Sequence, residues 1–454
     1  MFATPALALL CLAAPQTPDD VLATYRLNGK EATVTRTDVA LEMAFHLRRD
    51  DRGRQGVEML VDSMLTRDAA KAKGLTPAKA EVQAYWDKLM KQLIAAGRKP
   101  EEFAAVRNTS EEQWLKDLSV QIAQERLVRA ELGLGANEKV DGDMLKLWLR
   151  EAREEAEVET EPDKLPVGSA ATIGKKSIAL IDLGFLLLRT SEDFERDRFV
   201  RQVVYLETIE AMAAARSIRI TSSDLDRAIA DRRKVAKNDP RRKGVSLEQI
   251  LKAIGMTVES LRELRVFRSG ILLDKLTLAE YPDPKLEEEL ANHREQVLAE
   301  VGPRRRIGAI FLRALEEPNA IIKRNFDEAK EQLVKIRGRI AKDGFAATAS
   351  IESELGDSKR KGGDVGWHRK SSPELPTAVL NAAFAMKMTD VSMPIRAKDG
   401  CYVITVLDHE PIPDDKELMR RLRILRGQEL SEGILKNADV KFAGENNADK
   451  KGSK

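Results

Sequence analysis

Few residues of this chain can do acid–base or metal chemistry: four histidines and two cysteines in 454 residues. His46, His293, His368 and His409 share no ligand spacing, so the sequence predicts no zinc site and no cofactor. His368 alone lies beside a distinctive run, Gly362-Gly363-Asp364-Val365-Gly366-Trp367. An imidazole there could donate to a substrate carbonyl or titrate near neutrality. The run is followed by Ala383-Phe384, Ser392-Met393-Pro394-Ile395 and Gly400-Cys401-Tyr402-Val403-Ile404-Thr405-Val406. Trp367 reads as core or turn packing. Arg304-Arg305-Arg306 reads as an anion patch or, more commonly for such a run, as the solvated start of a strand. Loss of a leader containing Cys11 would leave Cys401 as a single thiol, without an intrachain disulfide.

The elements that must position these residues form the last part of the chain. Ile307 to Leu312 is a short apolar strand. Ile322, Phe326, Ala329, Leu333, Ile336 and Ile340 alternate spacings of four and three, which predicts an amphipathic helix behind Pro318-Asn319. A second short helix ends near Ile351, and a charged loop runs from Glu352 to Gly363. Ala378 to Phe384 is a third helix, and Cys401 to Leu407 a closing strand rich in β-branched residues. A small mixed sheet covered by helices makes an α+β domain over 303–411. A charged helix over 412–436 and a polar, disordered tail over 437–454 follow.

Upstream, the sequence reads as mostly α and duplicated. Asn28-Gly29-Lys30 leads into Thr33-Val34-Thr35 and a helix opened by Asp38. Ile173-Gly174-Lys175 leads into Ile178-Ala179-Leu180 and a helix opened by Asp182. Each copy continues into long amphipathic helices, and the offset stays near ~144 residues, as a repeat requires. The expected units are a helical repeat over 17–150, an acidic linker over 151–171 and a second repeat over 172–302. Glu154 to Asp163 carries the charge that marks the linker.

The bulk properties bound the partners. A net charge of +2, from 76 basic and 74 acidic residues, provides no global field for nucleic acid. The apolar stretch Phe2 to Ala14 has the length of a signal-peptide core, which places a signal peptide at 1–16, although no Lys or Arg precedes it. No stretch is long and apolar enough to span a bilayer. The expected location is periplasmic or otherwise extracytoplasmic, with the cytoplasm as the alternative. The sparse cysteines fit either.

From about Arg304 to Glu410 the chain resembles a parvulin-type (PpiC) peptidyl-prolyl isomerase domain. The Gly-Gly-Asp-x-Gly-Trp run, Phe384, Ser392-Met393-Pro394-Ile395 and Gly400 carry the resemblance. The helical repeats with their hairpin openings resemble the chaperone portion of SurA-like export factors. The resemblance implies an enzyme without a nucleophile, which lowers the ~18–20 kcal/mol barrier to turning an X–Pro amide by holding the ring in an apolar groove. It implies a histidine on the first strand, a Cys or Asp on the loop after the second helix, and a histidine on the last strand. Those positions are Ala309, Leu355 (with Asp357 as a substitute) and Tyr402. The implied groove is Val365, His368, Leu375 and Val379 around Phe384, with His368 as a half-exposed loop residue in place of an aromatic wall. Tyr402 is expected to fill the space of the missing histidine.

Two functions follow from this resemblance. One is a chaperone for unfolded or partly folded polypeptides, including X–Pro segments, with weak or absent isomerase activity. Methionines such as Met43, Met59, Met64 and Met90 would suit an adaptable surface, although core packing is the commoner role for any one of them. The alternative is an active isomerase with an unusual site, or an assembly factor for one partner.

Overall fold

A computed structural model describes residues 20–97, 111–135, 138–239 and 244–443. The signal segment at 1–16 and the end of the tail lie outside the described residues. The chain forms two compact units: one combines the residues up to Lys275 with those from Glu432 onward, and the other is Leu276–Ser431. The second unit is therefore inserted into the first, rather than following it as the sequence order suggests.

The first unit opens with a hairpin, β1 (Val21–Leu27) and β2 (Lys30–Thr35), turned by Asn28 and Gly29 at φ 51° and 77°. Helices α1 (Arg36–Leu47), α2 (Asp51–Ala72), α3 (Lys79–Ala95), α4 (Glu111–Leu132) and α5 (Gly142–Glu155) follow. Thr35 and Asp38 cap α1 reciprocally, each side chain accepting a backbone N–H of the other. A two-residue strand β3 (Val158–Glu159) then leads to a second hairpin, β4 (Ser169–Ile173) and β5 (Lys176–Ala179). Behind it come α6 (Leu180–Arg189), α7 (Asp193–Ala215), α8 (Ser222–Asn238), α9 (Leu247–Ala253), α10 (Val258–Glu263) and α11 (Arg265–Glu280).

The two copies cross-pack. Helix α1 of the first copy lies on α6 and α7 of the second, and α2 lies on α6 and against β4. A single core results, containing Tyr25, Val34, Val39, Ala40 and Met43 together with Leu183, Leu187, Phe199 and Val203. The exchange extends to the sheets. Strand β3, at the end of the first copy, pairs antiparallel with β4 of the second hairpin. Strand β10 (Lys441–Phe442), near the end of the chain, pairs with β1 of the first.

Both added strands follow the same local device. Ala156-Glu157-Val158 and Ala438-Asp439-Val440 each turn out of a helix through an acidic residue in the left-handed region, at φ 47° and 46°. The segment expected as a solvated linker is thus partly ordered, and the tail expected as disordered from 437 begins as packed chain, with Ala438 buried. The acidic composition of the first and the polar composition of the second concealed this, because pairing here uses backbone groups and needs only two residues of strand.

A polar network links the copies, from the buried Glu42 out to the partly exposed Arg265 and Glu210. The Tyr25 hydroxyl donates to Glu207 at 2.6 Å, and Gln202 Nε2 donates to the buried Glu42 at 2.7 Å. Arg265 pairs with Glu210 at 2.7 Å and lies 4.0 Å from Glu42. Burial pushes the Glu42 and Glu207 carboxyls above their ordinary range, and the bonds from Gln202 and Tyr25 and the charge of Arg265 offset this only in part. Both groups bind protons more tightly folded than unfolded. Their contribution is therefore fully present below the unfolded carboxyl value and is lost as pH rises through the folded one. Glu42→Gln is expected to stabilise the protein at pH 7 by on the order of 1 kcal/mol. No gain is expected near pH 4, so urea titrations at the two values check the sign.

The second unit takes the end of α11, then α12 (Asp283–Asn292) and α13 (Arg294–Val301), separated at His293. Its sheet consists of β6 (Arg305–Arg313), β7 (Asp364–His368), β8 (Ile395–Ala397) and β9 (Gly400–His409), in the order β7-β6-β9-β8. Every pairing is antiparallel, so the sheet is not mixed as expected. Between β6 and β7 lie α14 (Phe326–Asp343), α15 (Phe345–Glu352) and α16 (Gly356–Arg360), and between β7 and β8 lies α17 (Thr377–Ala385). Helix α14 covers one face of the sheet over Ile310, Leu312, Cys401 and Val403; α17 covers the other over Ile307, Ala309, Tyr402 and Ile404. The alternation along β6 and β9 follows from their period of two. Helix α18 (Asp415–Asn437) begins in this unit and packs Leu418 and Leu422 on Leu286, Leu290, Val297 and Val301 of α12 and α13.

Candidate functional site

The glycine-rich run shapes backbone. Gly363 has φ 84°, and a Cβ there would lie 3.0 Å from the Ala309 carbonyl oxygen and 2.7 Å from the Ala349 Cβ. The Ala309 N–H donates to Gly363 O at 2.8 Å, which draws this turn against the centre of β6. Asp364 locks the turn by accepting from the Gly366 N–H at 2.8 Å and from Arg306 at 2.9 Å. Burial opposes its ionisation, but those bonds hold the Asp364 carboxyl below its ordinary range. The run thus sets the geometry of the sheet edge, and none of its side chains is left over for chemistry.

Ala309, Leu355 and Tyr402 come together in one apolar cluster with Phe311, Leu375, Val379 and Ile404. Tyr402 is 3% exposed and its ring centroid lies 4.6 Å from that of Phe311, its cross-strand partner. Its hydroxyl reaches Asp399 at 3.3 Å. Burial, with the Asp399 carboxylate beside it, raises the phenol far above its usual range, so it stays protonated. Two residues before Leu355, Ser353 Oγ already accepts the N–H of Phe311 at 3.1 Å. Asp357 is exposed and paired with Arg360, outside the cluster.

The implied groove is only partly open. Val379 is 0% and Leu375 8% exposed, so both belong to the packed floor, whereas Val365 and Phe384 are half-buried. His368 is buried at the end of β7, not half-exposed on a loop. Its Nε2 lies 2.9 Å from Val365 O, and its Nδ1 is 3.7 Å from Glu374. Pairing of His368 with Arg305 extends the strand one residue further than the glycine-rich pattern implies, which is why the ring turns inward.

Sequence reasoning missed Arg305. Its guanidinium donates to Ala383 O at 2.6 Å and Met386 O at 2.5 Å, closing the end of α17, and lies 5.3 Å from the Phe384 ring. Arg304 and Arg306 are exposed at the start of the strand, as expected, but both are paired, Arg304 with Glu410 and Arg306 with Asp364. The signal available was the apolar strand beginning directly behind the run, because a strand turns successive residues to opposite faces and so separates Arg305 from Arg304 and Arg306. Among the described residues, no three histidines, cysteines or acids are grouped to hold a metal ion.

Residues 310–408 match the family Rotamase: PPIC-type PPIASE domain. This stretch is a parvulin-type domain. Around it, the chain is 23% identical over 224 residues to a foldase protein PrsA of Clostridium botulinum strain Loch Maree, covering 48% of this chain and 61% of that one. It is 26% identical over 205 residues to the PrsA of strain Hall, covering 43% and 53%. The chain thus spans less than two thirds of the curated relatives it matches. Among solved structures, a PrsA of Bacillus anthracis aligns at 17% identity and TM-score 0.29, over 55% of this chain and 100% of that one. A PpiC-type peptidyl-prolyl cis-trans isomerase domain aligns at 27% identity and TM-score 0.21, over 25% and 95%. The parvulin-type domain of this chain brings together the three positions that the resemblance marks for polar groups, and fills them with Ala, Leu and a buried Tyr.

Proposed function

We propose that this chain is an extracytoplasmic folding factor that binds unfolded or partly folded polypeptides and turns X–Pro bonds weakly or not at all. The observation that carries this reading is the apolar cluster of Ala309, Leu355 and Tyr402, with Tyr402 stacked on Phe311, where the resemblance implies two histidines and a Cys or Asp. An isomerase acts by an apolar floor together with polar groups that respond to the twisting amide. Here the floor is retained, and the one polar atom at these positions is a phenol turned to Asp399.

Several features support a binding role. The relatives are named foldases. The helical unit exposes large apolar side chains, among them Met59 at 55%, Ile94 at 57% and Phe194 at 72%. Exposed apolar side chains of this kind suit contact with unfolded chains. The apolar stretch Phe2 to Ala14 supports export, and no helix among the described residues is long and apolar enough to cross a membrane.

The test is light scattering from a chemically denatured client diluted into buffer. Scattering is expected to fall in proportion to the full chain added. Scattering unaltered by a folded, stoichiometric excess of the chain would contradict the proposal.

A further inference from the structure

The face of the sheet opposite α17 carries a guanidinium without an acid. Arg305 pairs across the sheet with His368 on one side and His409 on the other. One residue further out, the Glu410 N–H donates to Arg304 O at 2.9 Å, so the antiparallel register sets Arg369, Arg304 and Glu410 in the next row. Strand alternation turns that row to the face opposite Arg305, the face on which Trp367 lies, and the Arg304 guanidinium is 5.6 Å from the Trp367 ring.

The acids of this face are already engaged. Glu410 takes Arg304 through two bonds, at 2.9 and 2.5 Å, and lies 3.7 Å from Arg421. Arg421 also pairs with Glu417 at 2.9 Å, and Arg306 pairs with Asp364 at 2.5 Å. Arg369 has no carboxylate within 4 Å among the described residues. Its Nε is sealed from solvent without an acceptor, while its Nη atoms are not among the sealed, unpartnered groups. Its backbone is fixed by the bond from its N–H to Ser372 Oγ at 2.8 Å. Burial, Arg304 and Arg421 all disfavour its charge, and Glu410 offsets them only in part.

We propose that Arg369, flanked by Arg304 and Arg421, is a binding site for an oxyanion, a carboxylate or phosphate group received at the Arg369 Nη end. The site carries one guanidinium in excess of its acids, and a planar guanidinium matches an oxyanion through paired N–H donors. It lies on the face of the sheet away from the apolar groove. The group could come from a free ion or from an acidic polypeptide, and both present the same oxygens.

Isothermal titration of the full chain with inorganic phosphate, and separately with a short oligoglutamate peptide, at fixed ionic strength, tests the site. Binding of phosphate alone assigns it to the free ion, and binding of the peptide assigns it to polypeptide carboxylates. In either case Arg369→Gln is expected to weaken binding by at least about tenfold, the loss of charge-assisted hydrogen bonds. Arg306→Gln, which removes a charge already paired with Asp364, should alter affinity by less than about twofold. No binding of either probe, or unchanged affinity in a folded Arg369→Gln, overturns the proposal. If the glutamine variant does not fold, Arg369→Lys decides: it retains the charge but not the planar fork, and affinity equal to that of the unaltered chain is again contrary.

Discussion

Gly184→Ala is expected to destabilise the protein by about 3 kcal/mol or more, although alanine is the better helix former by up to ~1 kcal/mol. The reason is the crossing of α1 and α6. A Cβ at Gly184 would lie 2.1 Å from the Ala40 carbonyl oxygen and 2.5 Å from its carbon. These are backbone atoms of a hydrogen-bonded helix and cannot move aside as a side-chain tip can. The helices must separate, and the packing of Val39, Met43, Leu183 and Leu187 around the crossing opens with them. Gly270 in α11 provides the control, because a Cβ there meets nothing within 4 Å. Gly270→Ala should therefore show the helix propensity alone and raise stability by up to about 1 kcal/mol. Urea unfolding of the two variants separates the effects; equal stability of both would show that the α1–α6 contact does not hold the two copies together.

Much of the architecture could be read from local chemistry. The Asn28-Gly29 turn, the start of α1 and the four-and-three spacing from Ile322 to Ile340 are decided within a few residues; the structure has β1–β2 and α1 at those places and begins α14 at Phe326, with Ile322 in the loop before it. What could not be read depends on partners distant in sequence. The β3–β4 and β10–β1 pairings join short acidic or basic segments whose composition resembles linker and tail. Arg304 finds Glu410 some hundred residues away, and Arg305 finds carbonyls at the end of α17, so a run of arginines that looks solvated is tied down. At the site, the identities at 309, 355 and 402 were legible, and the structure gathers them in one apolar cluster. The inward turn of His368 and the burial of Leu375 and Val379 were not, because both follow from how far β7 pairs and how closely α17 lies on the sheet.

The parvulin-type domain makes the second large prediction. Its fold depends on the glycine run, with Gly363 drawn onto Ala309 and Asp364 bonded to Gly366 and Arg306, and none of that requires a catalytic group. The chemistry would require polar groups where Ala309, Leu355 and Tyr402 now pack. Loss of one preorganised polar contact at a reacting centre typically costs about 10²–10³-fold in rate. Loss at three neighbouring positions should therefore bring the domain close to uncatalysed isomerisation. On the proposed reading, the sheet and helices keep the fold, and what remains of the groove binds apolar segments without turning them.

The most direct measurement is the cis-to-trans rate of a proline tetrapeptide in a protease-coupled assay with the full chain. The expected result is a rate indistinguishable from the uncatalysed one at micromolar protein, unaltered by Val365→Lys at the open edge of the groove. A substantial acceleration that Val365→Lys abolishes would contradict this account, because it would show a working isomerase built without the polar groups at Ala309, Leu355 and Tyr402.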